Sequence, residues 1–227
     1  MHVSQSGLIF NIEFGTASLI KVDCKLGEEL IIPPIIKGFP LERIEASVFA
    51  KHPLLKNVGI PASVKSIGEN AFAECKNLQN VKFYKTPRIS STCTLQKKAF
   101  YACPNLQSIH FPDKNLINGD SVFQDCVMLS DIKGKFKSLL SNTYRGCYSL
   151  TSLLFYGKTF VSASALMNCP KLAKLTFTGD LSEKTPPKAI EEMQKSKILC
   201  YANTEFVNWA YEGVAVEIME ICDFFDF

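Results

Sequence analysis

The chain has 227 residues, of which 47% are hydrophobic and 21% are charged, and its formal net charge is +3. This composition indicates a folded protein with a sizeable core and argues against wholesale disorder. Nucleic-acid binders usually carry a clustered basic face, so a net charge of +3 gives no reason to predict a nucleic-acid partner. No apolar run approaches the roughly 18 residues that a membrane-spanning helix needs, so we predict no membrane insertion.

An internal repeat dominates the chain from residue 41 to residue 181. Aligned on one mostly aromatic position, here called the anchor, six segments follow one another at intervals of 21 to 28 residues. The anchors are Phe49, Phe72, Phe100, Phe123, Tyr144 and Leu166. A leucine stands six residues after every anchor, at Leu55, Leu78, Leu106, Leu129, Leu150 and Leu172. Columns that stay intact over six segments indicate stacked structural units of one kind.

Each segment predicts a short strand and a turn. Nine and eleven residues after the anchor, apolar residues alternate with polar ones, as at Val81 and Phe83, which predicts a strand with these two side chains inward. The residues around Phe72 show no alternation, which predicts a short helical or turn segment that packs its phenylalanine inward. One such unit has a single apolar face and becomes stable only by stacking on its neighbours.

A cysteine stands three residues after five of the anchors, at Cys75, Cys103, Cys126, Cys147 and Cys169, and His52 takes this place in the first repeat. We favour a column of buried, reduced thiols that donate to backbone carbonyls. Disulfides, zinc and a catalytic thiol are the alternatives. Disulfides between neighbours are awkward, because stacked strands lie farther apart than the Cβ atoms of a bridge prefer. No Cys-x-x-Cys pair exists for zinc, and a catalytic thiol would need a nearby base in a chain with only three histidines. Outside the column, Cys93 lies in a polar stretch and is predicted to be the most exposed thiol.

Motifs for catalysis or for cofactor binding do not occur in the sequence. It contains no Gly-x-Gly-x-x-Gly or phosphate-binding loop, no His-Glu-x-x-His and no Gly-x-Ser-x-Gly. We therefore predict no enzyme activity, no cofactor and no metal. An enzyme with a site in the terminal segments is the remote alternative.

Function is then expected on the surface, on the residues that alternate with the inward positions of each strand. The candidate ligand-binding residues on this strand side are Lys82, Tyr84, His110, Lys133, Leu154, Tyr156, Lys174 and Thr176. Aromatic and basic side chains on a rigid repeat surface are typical of macromolecular recognition, so we predict a protein ligand. The alternative is a glycan or polyanion bound by the tyrosines and lysines. The longest interval, between the second and third anchors, creates a loop at residues 84–95, and such insertions often gather on a binding face.

The pattern Ile-Pro-x-x-Val-x-x-Ile-Gly-x-x-Ala-Phe-x-x-Cys-x-x-Leu-x-x-Val, which residues 60–81 match throughout, resembles the BspA-like class of leucine-rich repeat. Later repeats depart from it at Asn118, Gly134 and Leu166, so irregular structure is expected around residues 113–140. The resemblance implies a β-rich α+β solenoid of about six turns and one continuous unit. It also implies recognition of macromolecules and an adhesion-type role at the cell surface or after secretion. The start of the chain lacks the pattern of a secretory signal, which would instead point to the cytoplasm if the chain is complete.

The same resemblance implies caps at both ends of the repeats. Residues 1–40 are expected to form an N-terminal hairpin cap, residues 41–181 the repeats, and residues 182–227 a C-terminal cap. In the last segment, residues 186–197 predict a helix with Pro187 in its first turn. Phe206 and Trp209 are expected to help seal the stack.

Overall fold

The structure is a computed structural model that describes residues 1–22, 26–86, 92–111, 115–117, 119–134, 136–177, 184, 186–189, 199–202 and 216–218. For residues 115–117, 137, 156–158, 177, 199–202 and 216–218 the description covers the backbone. The described residues form 18 strands, numbered β1 to β18 in chain order, and one helical turn at residues 187–189.

The strands form three sheets. The first sheet contains β1 (His2–Gln5), β2 (Leu8–Glu13), β3 (Thr16–Val22), β5 (Ile35–Ile36), β6 (Phe39–Ile44), β8 (Ser66–Ile67), β10 (Cys93–Leu95) and β12 (Asn115–Ile117). The second sheet contains β4 (Glu29–Ile31), β7 (Asn57–Pro61), β9 (Asn80–Tyr84), β11 (Ser108–His110) and β13 (Asp131–Lys133). The third sheet contains β14 (Phe136–Leu139), β15 (Ser152–Val161), β16 (Lys174–Phe177), β17 (Leu199–Ala202) and β18 (Val216–Ile218).

Each repeat passes once through the stack. In the second repeat the chain leaves β7 of the second sheet, crosses to β8 of the first sheet, turns around Phe72 and enters β9. Equivalent strands of successive repeats pair in parallel, for example Val58 with Val81 and Val81 with Ile109. This one-to-one register confirms the columns that the sequence predicts, and the chain is a strand-rich leucine-rich-repeat solenoid.

The turn around each anchor is locked to the next repeat by three backbone hydrogen bonds. The amides of Asn70, Phe72 and Glu74 donate to carbonyls of the third repeat at 3.1, 2.8 and 2.7 Å. Five repeats have positive φ both two residues before and two residues after the anchor, and this alternation aims all three amides along the stack. These residues are Ser47, Lys51, Asn70, Glu74, Lys98, Ala102, Ser121, Asp125, Asn142 and Gly146. Left-handed conformations cost non-glycine residues about 1–2 kcal/mol each, which the bonds between repeats offset.

The anchors form one continuous aromatic stack. From Phe49 to Tyr144, neighbouring ring centroids lie 4.6, 5.0, 5.6 and 5.3 Å apart, and the ring planes deviate from parallel by only 4° to 14°. All five rings are fully buried, as are the small residues before most anchors. The leucine column lies beside them and is also buried in every repeat. The core therefore runs along the repeats, as the sequence predicts.

Two departures from the repeat correspond to shifts along the chain that the sequence columns missed. Gly134 falls in the column where Phe83 and Phe155 are inward aromatics, but Phe136 fills that space: its ring lies 5.8 Å from Phe111 and 6.5 Å from Phe155. In the first sheet, Leu95 pairs with Ile117, so Ile117 stands in the column of aliphatic residues five positions before the anchors. Asn118, which we assigned to that place, lies outside the described residues. The shift of two residues to Phe136 thus preserves the core here.

The two ends of the chain are described to different extents. Strands β1, β2 and β3 pair antiparallel, and β3 then pairs in parallel with β6 of the first repeat. Residues 187–189 begin a helical turn where the sequence predicts a helix start. Phe206 and Trp209 lie outside the described residues. The assignment of both end segments as caps, and the domain boundaries, stay predictions.

Candidate recognition surface

The second sheet carries two rows of outward-facing residues. These two rows and the matching residues of β15 and β16 are here called the strand face. One row pairs Asn57, Asn80, Ser108 and Asp131 across β7, β9, β11 and β13. The other row pairs Gly59, Lys82, His110 and Lys133 across the same strands. Strand β4 extends both rows by one place, through Glu29 and Ile31. Parallel pairing places neighbours in each row about 4.8 Å apart.

A ladder of polar side chains stiffens the first row. The Asn57 amide donates to the Glu29 carboxylate, and the Asn80 amide donates to the Asn57 side-chain oxygen at 2.7 Å. The Ser108 hydroxyl continues the ladder by donating to Asn80 Oδ1 at 2.7 Å. At its far end, Asp131 Oδ2 lies 2.6 Å from Nε2 of His110 in the second row. These contacts fix the rotamers of the row before any ligand arrives.

The lysines of the second row remain available to a ligand. Lys82 and Lys133 are exposed, and neither has a carboxylate partner within salt-bridge distance in the described part of the chain. His110 lies between them and is half-buried, with its imidazole held by Asp131. The structure therefore brings together three of the predicted site residues in one basic row.

Tyr84 is bound more firmly to the fold than the sequence indicates. Its hydroxyl donates to the Ile32 carbonyl, and its ring lies 3.6 Å from the point where a Cβ on Gly59 would stand. Ile31 approaches the same point from the other side at 3.6 Å, and its side chain is exposed. Our sequence analysis missed Ile31, although it precedes Gly59 by 28 residues, the longest interval between anchors. Ile31 and Tyr84 form a small apolar patch at one end of the basic row.

The remaining predicted residues belong to the third sheet. Leu154 pairs with Thr176, and Ser152 pairs with Lys174. Leu154 and Lys174 are half-buried. Thr176 was expected to face outward, but it is buried at 6% exposure, between Leu154 and the neighbouring strand β17. It is therefore not a ligand contact on this face.

A break divides the strand face. Within the described residues, no strand pairing joins β13 to β15, so Lys133 and Leu154 do not sit in one ladder as the columns suggest. The side chain of Tyr156 lies outside the described residues, as do residues 87–91 of the predicted insertion loop. The best-defined part of the surface is thus the stretch from β4 to β13.

The cysteine column is confirmed as a ladder of thiol-to-carbonyl hydrogen bonds. Each thiol donates to the carbonyl of the anchor in the preceding repeat, at 3.0 to 3.1 Å. The donors are Cys75, Cys103, Cys126, Cys147 and Cys169, and all five are free thiols. Burial raises the pKa of Cys103 and Cys147 well above the usual thiol range. The column therefore serves packing and the connection between repeats.

The prediction that Cys93 is the most exposed thiol is wrong. Cys93 begins strand β10, pairs with Asn115 and is fully buried, and burial raises its pKa to about 12. Its polar neighbours alternate with inward residues of a short strand. Among the described cysteines, Cys169 in the last repeat is the one that is partly exposed.

Other functional features are sparse in the described part of the chain. No group of three or more His, Cys, Asp or Glu side chains there is arranged to hold a metal ion. None of its helical residues belongs to a helix long and apolar enough to cross a membrane. An open groove of about 360 Å³ lies beside the turns, lined by Lys51, His52, Pro53, Glu74, Lys76 and Asn77. Lys51 and Glu74 form an ion pair across it at 3.7 Å, so these two charges partly neutralise each other.

Two solved structures of repeat proteins share this architecture, and a third is less similar. A leucine-rich repeat protein from T. pallidum has a TM-score of 0.63 and 19% identity, over 95% of this chain and 99% of that one. A leucine-rich repeat protein from Eubacterium ventriosum has a TM-score of 0.51 and 18% identity, over 74% and 49%. A leucine-rich cell surface protein from Faecalibacterium prausnitzii has a TM-score of 0.47 and 15% identity, over 97% and 76%. The first two similarities bear on the fold alone.

The sequence places the chain within one family of these repeat proteins. The model of the BspA type leucine rich repeat region matches residues 42–173 in six copies. The chain belongs to the BspA-type leucine-rich repeat family, as the motif at residues 60–81 indicates. No curated protein sequence matches it.

Proposed function

We propose that this chain is a non-catalytic recognition scaffold that binds a protein ligand through the strand face. The observation that carries the proposal is the row Gly59, Lys82, His110 and Lys133, which parallel pairing holds in register. A hydrogen-bonded ladder from Glu29 to Ser108 braces the neighbouring row. Repeat solenoids use such extended surfaces for binding.

Rigidity is the energetic advantage of this surface. Immobilising a flexible side chain on binding costs roughly 0.5–1.5 kcal/mol, and the braced residues have already lost this freedom on folding. The half-buried Tyr84 ring offers a fixed apolar contact, and Leu154 offers a second one on the third sheet. The exposed lysines would set the orientation of the partner and accelerate association. Lys174 and Tyr156 remain candidate contacts on the third sheet.

Affinity capture with a sterically blocked surface tests the proposal. The variant Lys82→Trp with Ser152→Trp places a bulky ring on each sheet of the strand face, where both residues are exposed. The control Lys97→Trp with Ser141→Trp makes the same two changes at exposed positions beside the turns. We expect the first variant to lose the proteins that the unmodified chain captures, and the control to retain them at an equal melting temperature. Equal capture by both variants would remove the strand face as the binding site.

A glycan or polyanion ligand is the second candidate, favoured by Tyr84 and by Lys82 and Lys133, which have no carboxylate partner among the described residues. Added salt separates the two proposals. Binding to a polyanion releases counterions and should collapse between about 50 and 200 mM salt, whereas a protein interface with an apolar centre should weaken less.

We also propose adhesion-type display at a cell surface, which the family resemblance supports. Protease treatment of intact producing cells tests this location. Loss of the chain under conditions that leave a cytoplasmic marker protein intact is expected, and equal survival of both proteins would contradict surface display.

A further inference from the structure

We propose that the ligand of the strand face is an extended, acidic segment of a protein, which crosses β9, β11 and β13 with carboxylates opposite Lys82 and Lys133. The inference rests on the proposed function and names the chemistry of its partner. It follows from three features of the surface: the spacing of the lysines, the engagement of the neighbouring acids, and the apolar patch at one end.

The spacing of the lysines matches an extended chain. Lys82 pairs with His110, and His110 pairs with Lys133, so the two lysines stand two strand spacings apart, about 9.6 Å. A segment in the polyproline II conformation, an extended form with three residues per turn, advances about 3.1 Å per residue. Carboxylates three residues apart in such a segment lie on the same side, about 9.3 Å apart, and would therefore meet the two ammonium groups together.

The acids of the surface do not neutralise these lysines. The Glu29 carboxylate accepts the hydrogen bond from Asn57, and the Asp131 carboxylate is held 2.6 Å from the His110 imidazole. Both acids lie in the first row, beside the basic row. A ligand with carboxylates at selected positions can contact the lysines and avoid these acids. A uniformly anionic polymer would meet like charge at Glu29 and Asp131, which disfavours it.

An apolar patch lies one strand spacing before the first lysine. Ile31 and the ring of Tyr84 flank Gly59, whose missing side chain leaves a notch between them. The Ile31 side chain is 76% exposed in the free chain. An apolar residue of the ligand, one or two positions before its first carboxylate, would contact this patch and fix the direction in which the segment lies.

Fluorescence anisotropy with a synthetic peptide tests the inference on the full chain. The probe is a labelled peptide of roughly ten residues with a leucine, glutamates about two and five residues after it, and serine and threonine elsewhere. The matched peptide carries glutamine in place of both glutamates. Heparin serves as the sulfated-glycan probe.

Charge reversal supplies the matched protein variants. Lys82→Glu with Lys133→Glu changes the basic row, and Lys97→Glu with Lys171→Glu makes the same change in net charge at exposed positions elsewhere. We expect at least tenfold weaker peptide binding, about 1.4 kcal/mol, for the first pair and for the glutamine peptide. The second pair should weaken binding by less than about threefold, because distant exposed charges are screened.

Three outcomes would overturn the inference: no saturable binding of the glutamate peptide, equal losses for both pairs, or heparin binding that is tighter and equally dependent on Lys82 and Lys133. The capture experiment separates this failure from failure of the proposed function. Suppose that the double variant Lys82→Trp with Ser152→Trp abolishes capture of a protein that the charge-reversed chain still captures. In that case the strand face is the binding site, but its ligand is not an acidic segment. If neither variant affects capture, both proposals fail.

Discussion

Truncation of the third anchor, Phe100→Ala, is the sharpest test of the stacked core. The Phe100 side chain is fully buried, and its ring stacks on Phe72 at 5.0 Å and on Phe123 at 5.6 Å. Losing about 150 Å² of buried apolar surface at about 25 cal/mol per Å² corresponds to about 4 kcal/mol. This figure agrees with the roughly 3–5 kcal/mol typical of such truncations once the cavity is included.

The chain offers a control with the same chemical change. Phe14 stands at the tip of the turn between β2 and β3, and its side chain is fully exposed. Phe14→Ala should alter the unfolding free energy by less than about 0.5 kcal/mol. Urea titrations followed by circular dichroism measure both variants. A Phe100→Ala shift no larger than that of Phe14→Ala would refute the repeat register.

Three further predictions concern the turns and the buried polar atoms. Tyr144→Phe should raise the unfolding free energy by about 1 kcal/mol and so raise the urea midpoint, because the buried Tyr144 hydroxyl has no hydrogen-bond partner in the described part of the chain. An unchanged or lower midpoint would mean that a partner exists. Ala102→Gly should stabilise the folded chain by about 1 kcal/mol, because φ is +52° at Ala102. Ala73→Gly, at a residue whose φ is not positive, should destabilise it. The same urea titrations measure both variants, and destabilisation by both would contradict the left-handed turn. Native-state alkylation at pH 8, read by mass spectrometry, should label Cys169 before Cys103, because Cys169 is partly exposed and burial raises its pKa to only about 11; the reverse order would contradict the burial of the column.

The periodic part of the fold was predictable because the same physical demand recurs in every repeat. Each time the chain turns over the core, it needs a leucine at one place and a large apolar residue at another, which is aromatic in five of the six repeats. The thiol column was predictable for the same reason, since a small side chain with a weak donor fits the bend at Cys75 and at its equivalents. Single-sequence columns carry this information without any knowledge of the partner.

Features that depend on contacts between distant segments were not predictable. Phe136 replaces the aromatic lost at Gly134 through a shift of two residues, which a fixed-interval alignment cannot see. The hydroxyl of Tyr84 finds Ile32, a residue 52 positions earlier, so the tyrosine braces the surface as well as facing it. Cys93 was misplaced because its polar neighbours suggested a loop, whereas they are the outward residues of a strand.

The basic row was found as separate residues but not as a unit. The lysines of the row keep their charge exposed because Glu29 and Asp131, in the ladder beside it, are hydrogen-bonded to other side chains. A net charge counted from the sequence treats every acid and every lysine as equally available. The structure shows which charges already have partners and which have none among the described residues.

Hydrogen–deuterium exchange of the chain, alone and with a captured protein partner, tests the central claim most directly. The amides of β9, β11 and β13 should exchange more slowly in the complex, because a ligand on the strand face restricts their opening. The turn segments around Phe72 and Phe100 should be unchanged. Slower exchange confined to those turns, with no change in β9, β11 and β13, would contradict the strand face as the recognition surface.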